Sequence, residues 1–401
     1  MNNSQTLIKG AHIVLPDRVV HGDLLIVGRK IERIIPKKER RVLEENIRII
    51  DAGGMYLLPG MIDLHSDAIE KEIEPRPKTH FPIRSSLYEL EKKLAASGIT
   101  TIYHSISMGG ETGLGVRNNK TVVEIIKNIN RSSRERFMIR HRVHLRYEVT
   151  NLPGLAIVRD LLKQRMIHLL SFMDHTPGQG QYTVPGSYEE YMMKARGFTE
   201  EEARSMVEKL KSWQKQVDVQ VLKETANFAR QQRISVASHD DDTPAKIDKI
   251  LDFGVTISEF PINLNTALYA RSRGIHVAVG APNVVRGSSH ANNLRAIDAI
   301  RAGAADIICS DYYPPAMLAA VFKLVEEGIR LPEAVCLVSL NPARAVGLEQ
   351  QYGSIEVGKQ ADLVFVELYQ GYPFIRKTMV GGRLIYQAEY QGEDIGGELV
   401  C

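Results

Sequence analysis

Apolar residues fall at alternate positions along DLLIVGRKIERII, the period of a strand with one covered face, and TLIKGAHIVL before it and NIRIIDAGG after it keep the same style. Pro, Gly and charged turns separate these runs, so residues 1–56 predict a small antiparallel sheet. ADLVFVEL and FIRKTMVGGRLIY bring the pattern back near the other end. The two ends are expected to build one domain together, a small β-sandwich of 1–56 with 345–401.

Between them the pattern changes to short apolar strands alternating with helical runs. The predicted strands are 57–65, 100–106, 140–149, 167–175, 234–239, 255–260, 276–280 and 306–311. SLYELEKKLAASG, TVVEIIKNINR, LAIVRDLLKQR, PAKIDKILDFG and HANNLRAIDAIRAG supply helices in the intervals. Strand and helix alternating eight times predict the α/β class and a (β/α)8 TIM-like barrel over 57–344, although periodicity alone does not separate it from an open doubly wound sheet. One interval is oversized: 187–233, rich in Glu, Lys and Met, reads as two helices inserted after the fourth strand. A solvated connection is the favoured reading of that insertion, ahead of a lid or a contact between copies in a homo-oligomer.

Composition narrows the function. With 51 Lys+Arg against 48 Asp+Glu the formal charge is +3, which argues against a dedicated nucleic-acid or membrane-surface binder. Cys309, Cys336 and Cys401 lack the spacing of a thiolate metal site or a disulfide framework. No leader-like N-terminal segment and no apolar run of about 18 residues stands out. The expectation is a soluble cytoplasmic protein.

In a barrel the chemistry gathers at the C-terminal ends of the strands. Five predicted strands end in candidate metal ligands. The first gives His65 and Asp67, two apart and so on one side of a strand. The third carries His144, Arg146 and Glu148 in alternate register, the fourth ends in Asp174-His175, the fifth in His239-Asp240-Asp241-Asp242 and the eighth in Ser310-Asp311. His65, Asp67, Glu148, His175, His239 and Asp311 together offer three imidazoles and three carboxylates, enough for two divalent ions sharing a carboxylate. Taken singly each is weak: a strand-end His is commonly a satisfied polar residue, and the triple Asp before Thr243-Pro244 suits a helix N-terminus. Coincidence at five strand ends carries the argument.

LLPGMIDLH, SDYYPPAM and NPARAVGLEQQYGSIEVGKQADLVFVE resemble the amidohydrolase superfamily over essentially the whole chain. DLHSDAIEKEIEPRP, HLRYE, SFMDHTPGQGQY, ASHDDDT and GAPNVVRGSSHANN resemble one branch, which splits ribose 1-methylphosphonate 5-triphosphate in the carbon-phosphorus lyase pathway of phosphonate metabolism. The resemblance implies a metallo-dependent hydrolase barrel with two divalent ions, zinc or manganese, and a small-molecule substrate. Asp67 stands where the common pattern has a second His, and Glu148 where many members carry a carboxylated Lys as bridge. The later His ligands are expected on strands four and five, whereas relatives often use five and six.

The implied reaction is attack of a metal-activated water on the α-phosphorus, with Asp311 as proton acceptor and diphosphate released. A polyphosphate needs cations and backbone donors, for which Lys71, Arg76, Arg146 and Arg286 are the candidates, with Gly287, Ser288 and Ser289 leading towards a helix N-terminus. Lys78 and Arg84 are evenly balanced between this role and a solvated face. The loops MGGETGLG and HTPGQGQY either approach a polyphosphate or merely turn. Cyclic-amide hydrolysis of the dihydroorotase kind, deamination, and a non-catalytic assembly subunit are the alternatives.

Overall fold

In the computed structural model the described residues are 4–39, 47–110, 113, 115–178, 182, 185–288 and 293–390. The first five strands are β1 (Gln5–Val14), β2 (Val19–Val27), β3 (Lys30–Pro36), β4 (Arg48–Asp51) and β5 (Tyr56–Pro59). Eight more follow as β6 (Met61–Ser66), β7 (Ile99–Met108), β8 (Arg140–Glu148), β9 (Leu169–Met173), β10 (Ser235–His239), β11 (Ile257–Glu259), β12 (His276–Gly280) and β13 (Ile307–Cys309). The last three are β14 (Leu363–Tyr369), β15 (Tyr372–Val380) and β16 (Arg383–Gln387).

The terminal strands form one mixed sheet in the order β16-β15-β14-β5-β1-β2-β3, with β4 beside β1. Along one edge β1 takes two partners in turn, β4 at Thr6–Lys9 and β5 at His12 and Ile13. The change of partner is made at Gly10, whose φ of +67° suits glycine and whose N–H is taken by Asp23 Oδ1 at 2.9 Å. The sheet folds round its own apolar core, which includes Ile13, Leu24, Ile26, Leu57 and Phe365. LLPGMIDLH, expected as one barrel strand, is two: β5 belongs to this sheet and β6 to the barrel. The chain crosses at Gly60, where a Cβ would lie 2.3 Å from Thr100 Oγ1, so the close approach requires glycine.

Strands β6 to β13 run parallel in chain order, giving the (β/α)8 barrel. At its seam, between β13 and β6, a bridge joins Ser66 to Asp311. The buried Asp63 carboxylate adds to it, its Oδ1 accepting from Ser310 N at 3.0 Å and His65 N at 3.3 Å. Inward residues of alternate register, including Ile62, Tyr103, Leu169, Ile257 and Ile307, fill the lower barrel with Ala343 and Ala345 beneath them. That apolar floor leaves the opposite mouth for polar side chains.

The helices nearest the site are α1 (Ala68–Ile73), α2 (Ile83–Ala96), α3 (Asn119–Glu135), α4 (Gly154–Lys163), α5 (Ser187–Arg196), α6 (Glu200–Gln214), α7 (Val219–Gln231), α8 (Pro244–Leu251), α9 (Leu264–Ser272) and α10 (Ala281–Arg286). The interval 187–233 therefore holds three helices, not two. Leu222, Ala226 and Ala229 of α7 join the barrel's core, so α7 is the ordinary crossover helix before β10. The added element is the pair α5 and α6, with a separate core of Tyr188, Met192, Ala203, Val207 and Leu210. A capping box between Thr199 and Glu202 starts α6.

Outside the barrel wall, a buried polar chain ties α2 to the strands. Glu91 Oε1 lies 2.9 Å from His141 Nε2, and His141 Nδ1 lies 2.9 Å from His104 Nε2. Glu91 also accepts the N–H of Ile139 at 3.1 Å. Burial alone would raise the Glu91 pKa, but His141 and these backbone donors outweigh it and hold the carboxyl below its ordinary 4.5. A depressed folded-state pKa contributes stability that is present above the unfolded value and lost as pH falls through the folded one. Glu91→Ala should therefore destabilise the protein by about 2–4 kcal/mol at pH 7, with a smaller gap near pH 3, read from urea unfolding at both pH values.

Candidate active site

The polar mouth of the barrel is built from strand ends. His65 on β6 places Nδ1 2.9 Å from Glu259 Oε1 at the end of β11. His239 ends β10, and Asp240 after it takes a left-handed φ of +51° that turns its carboxylate across the mouth. Asp240 Oδ2 lies 3.2 Å from His239 Nδ1 and 3.7 Å from His175 Nε2. Two ligand groups result: His65, His239 and Glu259, and His175, His239 and Asp240, each with donor atoms within 4.8 Å of one another.

These groups fit a divalent cation. Glu259 Oε2 is buried and, among the described residues, accepts no hydrogen bond, a costly arrangement for a carboxylate that a cation would relieve, and Asp240 Oδ2 is turned towards the imidazoles of His239 and His175. Imidazole and carboxylate donors at about 2.0–2.2 Å from one ion suit separations of this size. A neutral imidazole offers one lone pair, so the shared His239 keeps the two groups from filling independently.

The structure gathers His65, Asp67, Glu148, His175, His239 and Asp311 round a single cleft of about 1230 Å³. Their local roles differ. Both oxygens of Glu148 meet His175, Oε2 lying 2.7 Å from Nδ1 and Oε1 accepting the backbone N–H at 3.1 Å, contacts that orient that imidazole. Asp67 Oδ1 is 3.1 Å from Arg146 Nη1 and 3.8 Å from His65 Nε2. Asp311 is pinned at the seam: its N–H donates to His65 O at 2.9 Å, its carbonyl accepts from Asp67 N at 2.8 Å, and its φ is +56°.

Burial and the neighbouring Asp67 push the Asp311 pKa up to about 7, against the pull of Arg146 and Lys71. His175 is raised to about 9: burial opposes its charge, but Glu148 and Asp240 prevail. His144 lies below the mouth, its rings of contacts made by Leu64 O, Ser105 Oγ and Ser171 Oγ at 3.0, 3.0 and 2.8 Å. Burial lowers its pKa to about 3, so it is a neutral interior brace.

Cations line one part of the cleft. Lys71, Arg76, Lys78, Arg146, Arg286 and Ser288 all face it, and Lys71 Nζ sits 4.8 Å above the Tyr312 ring. Arg146 is buried and reaches Ser107 Oγ at 3.2 Å and His239 Nε2 at 3.0 Å. Arg84 points elsewhere, to Tyr88 and Glu135. Gly287 does not serve a helix N-terminus: with φ +72° it caps the C-terminus of α10, its N–H donating to Asn283 O at 3.0 Å. Ser289 lies outside the described residues. Across the cleft stand Tyr182 and, from α5, Tyr188 and Tyr191, with Leu210 of α6. The insertion expected as a solvated connection thus forms part of the cleft wall.

Glu259, Asp240, Glu70 and Arg117 were absent from the predicted site. Glu259 obeyed the same strand-end rule as the others, at the end of the sixth barrel strand. Asp240 was visible in the triple Asp but looked like helix-capping chemistry.

The family model of the amidohydrolase family matches residues 56–385. The chain belongs to the amidohydrolase family. It is 32% identical over 385 residues to alpha-D-ribose 1-methylphosphonate 5-triphosphate diphosphatase of Escherichia coli (strain K12), covering 95% of this chain and 100% of that one. A shorter match, 32% over 127 residues, joins it to a 5-methylthioadenosine/S-adenosylhomocysteine deaminase of Moorella thermoacetica, covering 32% of this chain and 25% of the relative. Among solved structures, N-acetylglucosamine-6-phosphate deacetylase from Pasteurella multocida aligns with a TM-score of 0.62 at 15% identity, covering 95% of this chain and 99% of that one. D-hydantoinase from Bacillus sp. AR9 gives 0.65 at 14%, covering 95% of both chains. At such identity these two speak for the fold alone. Amidohydrolase-family hydrolases generally bind divalent metals, in keeping with the donor set at this barrel mouth. Among the described residues, no helix is long and apolar enough to cross a membrane.

Proposed function

We propose that this amidohydrolase hydrolyses ribose 1-methylphosphonate 5-triphosphate to the 5-phosphate and diphosphate. The observation that carries the reading is the end-to-end match to the Escherichia coli diphosphatase, at 32% identity over 95% of this chain. The cleft supports it: Lys71, Arg76, Lys78, Arg146 and Arg286 border a space of about 1230 Å³, and a small neutral amide has no use for such a wall.

A bound divalent cation, held by His65, His239 and Glu259 or by His175, His239 and Asp240, would acidify a water and polarise a phosphoryl oxygen. Everything else falls to the chain. Asp311, fixed by the seam hydrogen bonds, accepts the proton of the attacking water as its oxygen bonds to the α-phosphorus. The bond from that phosphorus to the bridging oxygen of the β-phosphate breaks, and diphosphate departs with the electron pair. Arg146, locked between Asp67 and His239, and the Lys71 ammonium stabilise the anionic transition state. No covalent enzyme intermediate is required.

Arg286 faces the cleft from the end of α10 without belonging to either ligand group. Arg286→Ala should raise KM for the triphosphate roughly tenfold while kcat changes less, as steady-state kinetics will read. Unchanged KM and kcat would remove it from the site.

The reading itself is tested by phosphorus NMR of metal-loaded protein with ribose 1-methylphosphonate 5-triphosphate, alongside dihydroorotate followed by absorbance. Stoichiometric diphosphate and 5-phosphate are expected. An unchanged phosphorus spectrum with metal bound would discard it and make cyclic-amide hydrolysis the leading assignment.

A further inference from the structure

The pair Glu70 and Arg117 belongs to neither ligand group, and the reaction above does not use it. Glu70, in the first turn of α1, has a side chain only 7% exposed. Its Oε1 accepts the N–H of Ser107 at 3.0 Å, and its Oε2 accepts from Arg117 Nε at 2.7 Å and lies 2.7 Å from Arg117 Nη2. The backbone of Arg117 is held as well, its carbonyl accepting from Gly109 N at 3.0 Å just past β7. Guanidinium and backbone are thus fixed from two sides.

A buried carboxylate is costly to desolvate unless it is paired, and Arg117 supplies the partner of Glu70. Here the cation is left half open: the Arg117 side chain is 39% exposed and lines the cleft. Glu70 takes the edge bearing Nε and Nη2, while a guanidinium carries five N–H donors, so among the described residues the donors of Nη1 remain for a ligand. Nη2 also lies 3.5 Å from Asp67 Oδ2, which places the group directly beside the ligand cage. The anion closest to a reacting α-phosphorus is the neighbouring β-phosphate; a phosphonate on C1 is a whole ribose away.

We propose that Arg117, oriented by Glu70, binds the departing diphosphate and makes the enzyme select a polyphosphate chain over a monophosphate. The two N–H donors of Nη1 suit phosphate oxygens, and preorganisation by Glu70 removes the ordering cost of a long side chain. Glu70 is a positioning residue in this account. The inference rests on the reaction proposed above.

The test is titration calorimetry of metal-loaded protein with inorganic diphosphate and, separately, methylphosphonate, for wild type, Arg117→Ala, Arg117→Lys and Glu70→Gln. Arg117→Ala should weaken diphosphate binding at least about tenfold, with Arg117→Lys recovering part of the loss, Glu70→Gln weakening it less, and methylphosphonate binding unchanged. Diphosphate bound as in wild type, or an equal loss for both ligands, would overturn the assignment. Arg117→Gln, which keeps the stem as far as the Nε position and removes the charge, carries the comparison if the alanine variant does not fold. The phosphorus NMR experiment separates the two ideas: a wild type that releases no diphosphate removes the reaction, while the calorimetric comparison still judges Arg117.

Discussion

Asp311→Asn should lose about 10²–10⁴-fold in kcat while retaining its metal and its fold, the range a positioned general base contributes. The substitution keeps shape and the seam, because the hydrogen bonds that fix residue 311 are backbone ones, to His65 O and from Asp67 N. What disappears is a proton acceptor. Burial and Asp67 lift the Asp311 pKa to about 7, so the base charges only as pH rises through that value, and a bound cation would move the transition lower. The kcat/KM of wild type should therefore climb with pH along a limb at or below about 7, and the residual activity of Asp311→Asn should lack that limb. Metal analysis and a pH–rate profile of both proteins check it. Full activity in the variant, or the same acid limb in both, would end the base assignment.

The eight barrel strands were legible because each is a short apolar run bounded by polar turns, and their ends were informative because alternation decides which side chains face inward. His65 and His239 could be placed in this way. The register also held at Glu259, but β11 is only Ile257–Glu259, too brief for its last residue to stand out beside Phe260 and Pro261. Asp240 was obscured differently. Its reach to His175 depends on a left-handed φ at a non-glycine residue, and hydrophobic pattern carries no record of such a turn. Glu70 and Arg117 stand 47 positions apart, one on a helix and one in a tight turn, so no period relates them. The split of 57–65 was hidden because Pro59 and Gly60 lie inside an unbroken apolar stretch that serves two sheets. Gly287 misled for a related reason: a glycine before serines fits a phosphate loop and a helix C-cap equally well, and only the length of α10 decides between them.

His239→Ala should cost more bound metal than either His65→Ala or His175→Ala. Its imidazole is the one donor common to both ligand groups, so its loss leaves His65 with Glu259 and His175 with Asp240, two donors each. Either of the other substitutions leaves one triad whole. The alternative outcome has a physical basis too: Arg146 Nη2 lies 3.0 Å from His239 Nε2, and a lone pair given to that guanidinium is withheld from a cation. If Arg146 keeps it, the one proton of the neutral ring sits on Nδ1, towards Asp240, His239 offers a cation no lone pair, and His239→Ala will leave metal content nearly unchanged. Elemental analysis of the three variants after gel filtration, with circular dichroism to confirm folding, ranks the donors. Turnover of His239→Ala should fall by at least about 10³-fold, since water activation and phosphoryl polarisation go together. A His239→Ala protein holding as much metal as wild type would show that the shared imidazole is a neighbour of the metal centre and not part of it.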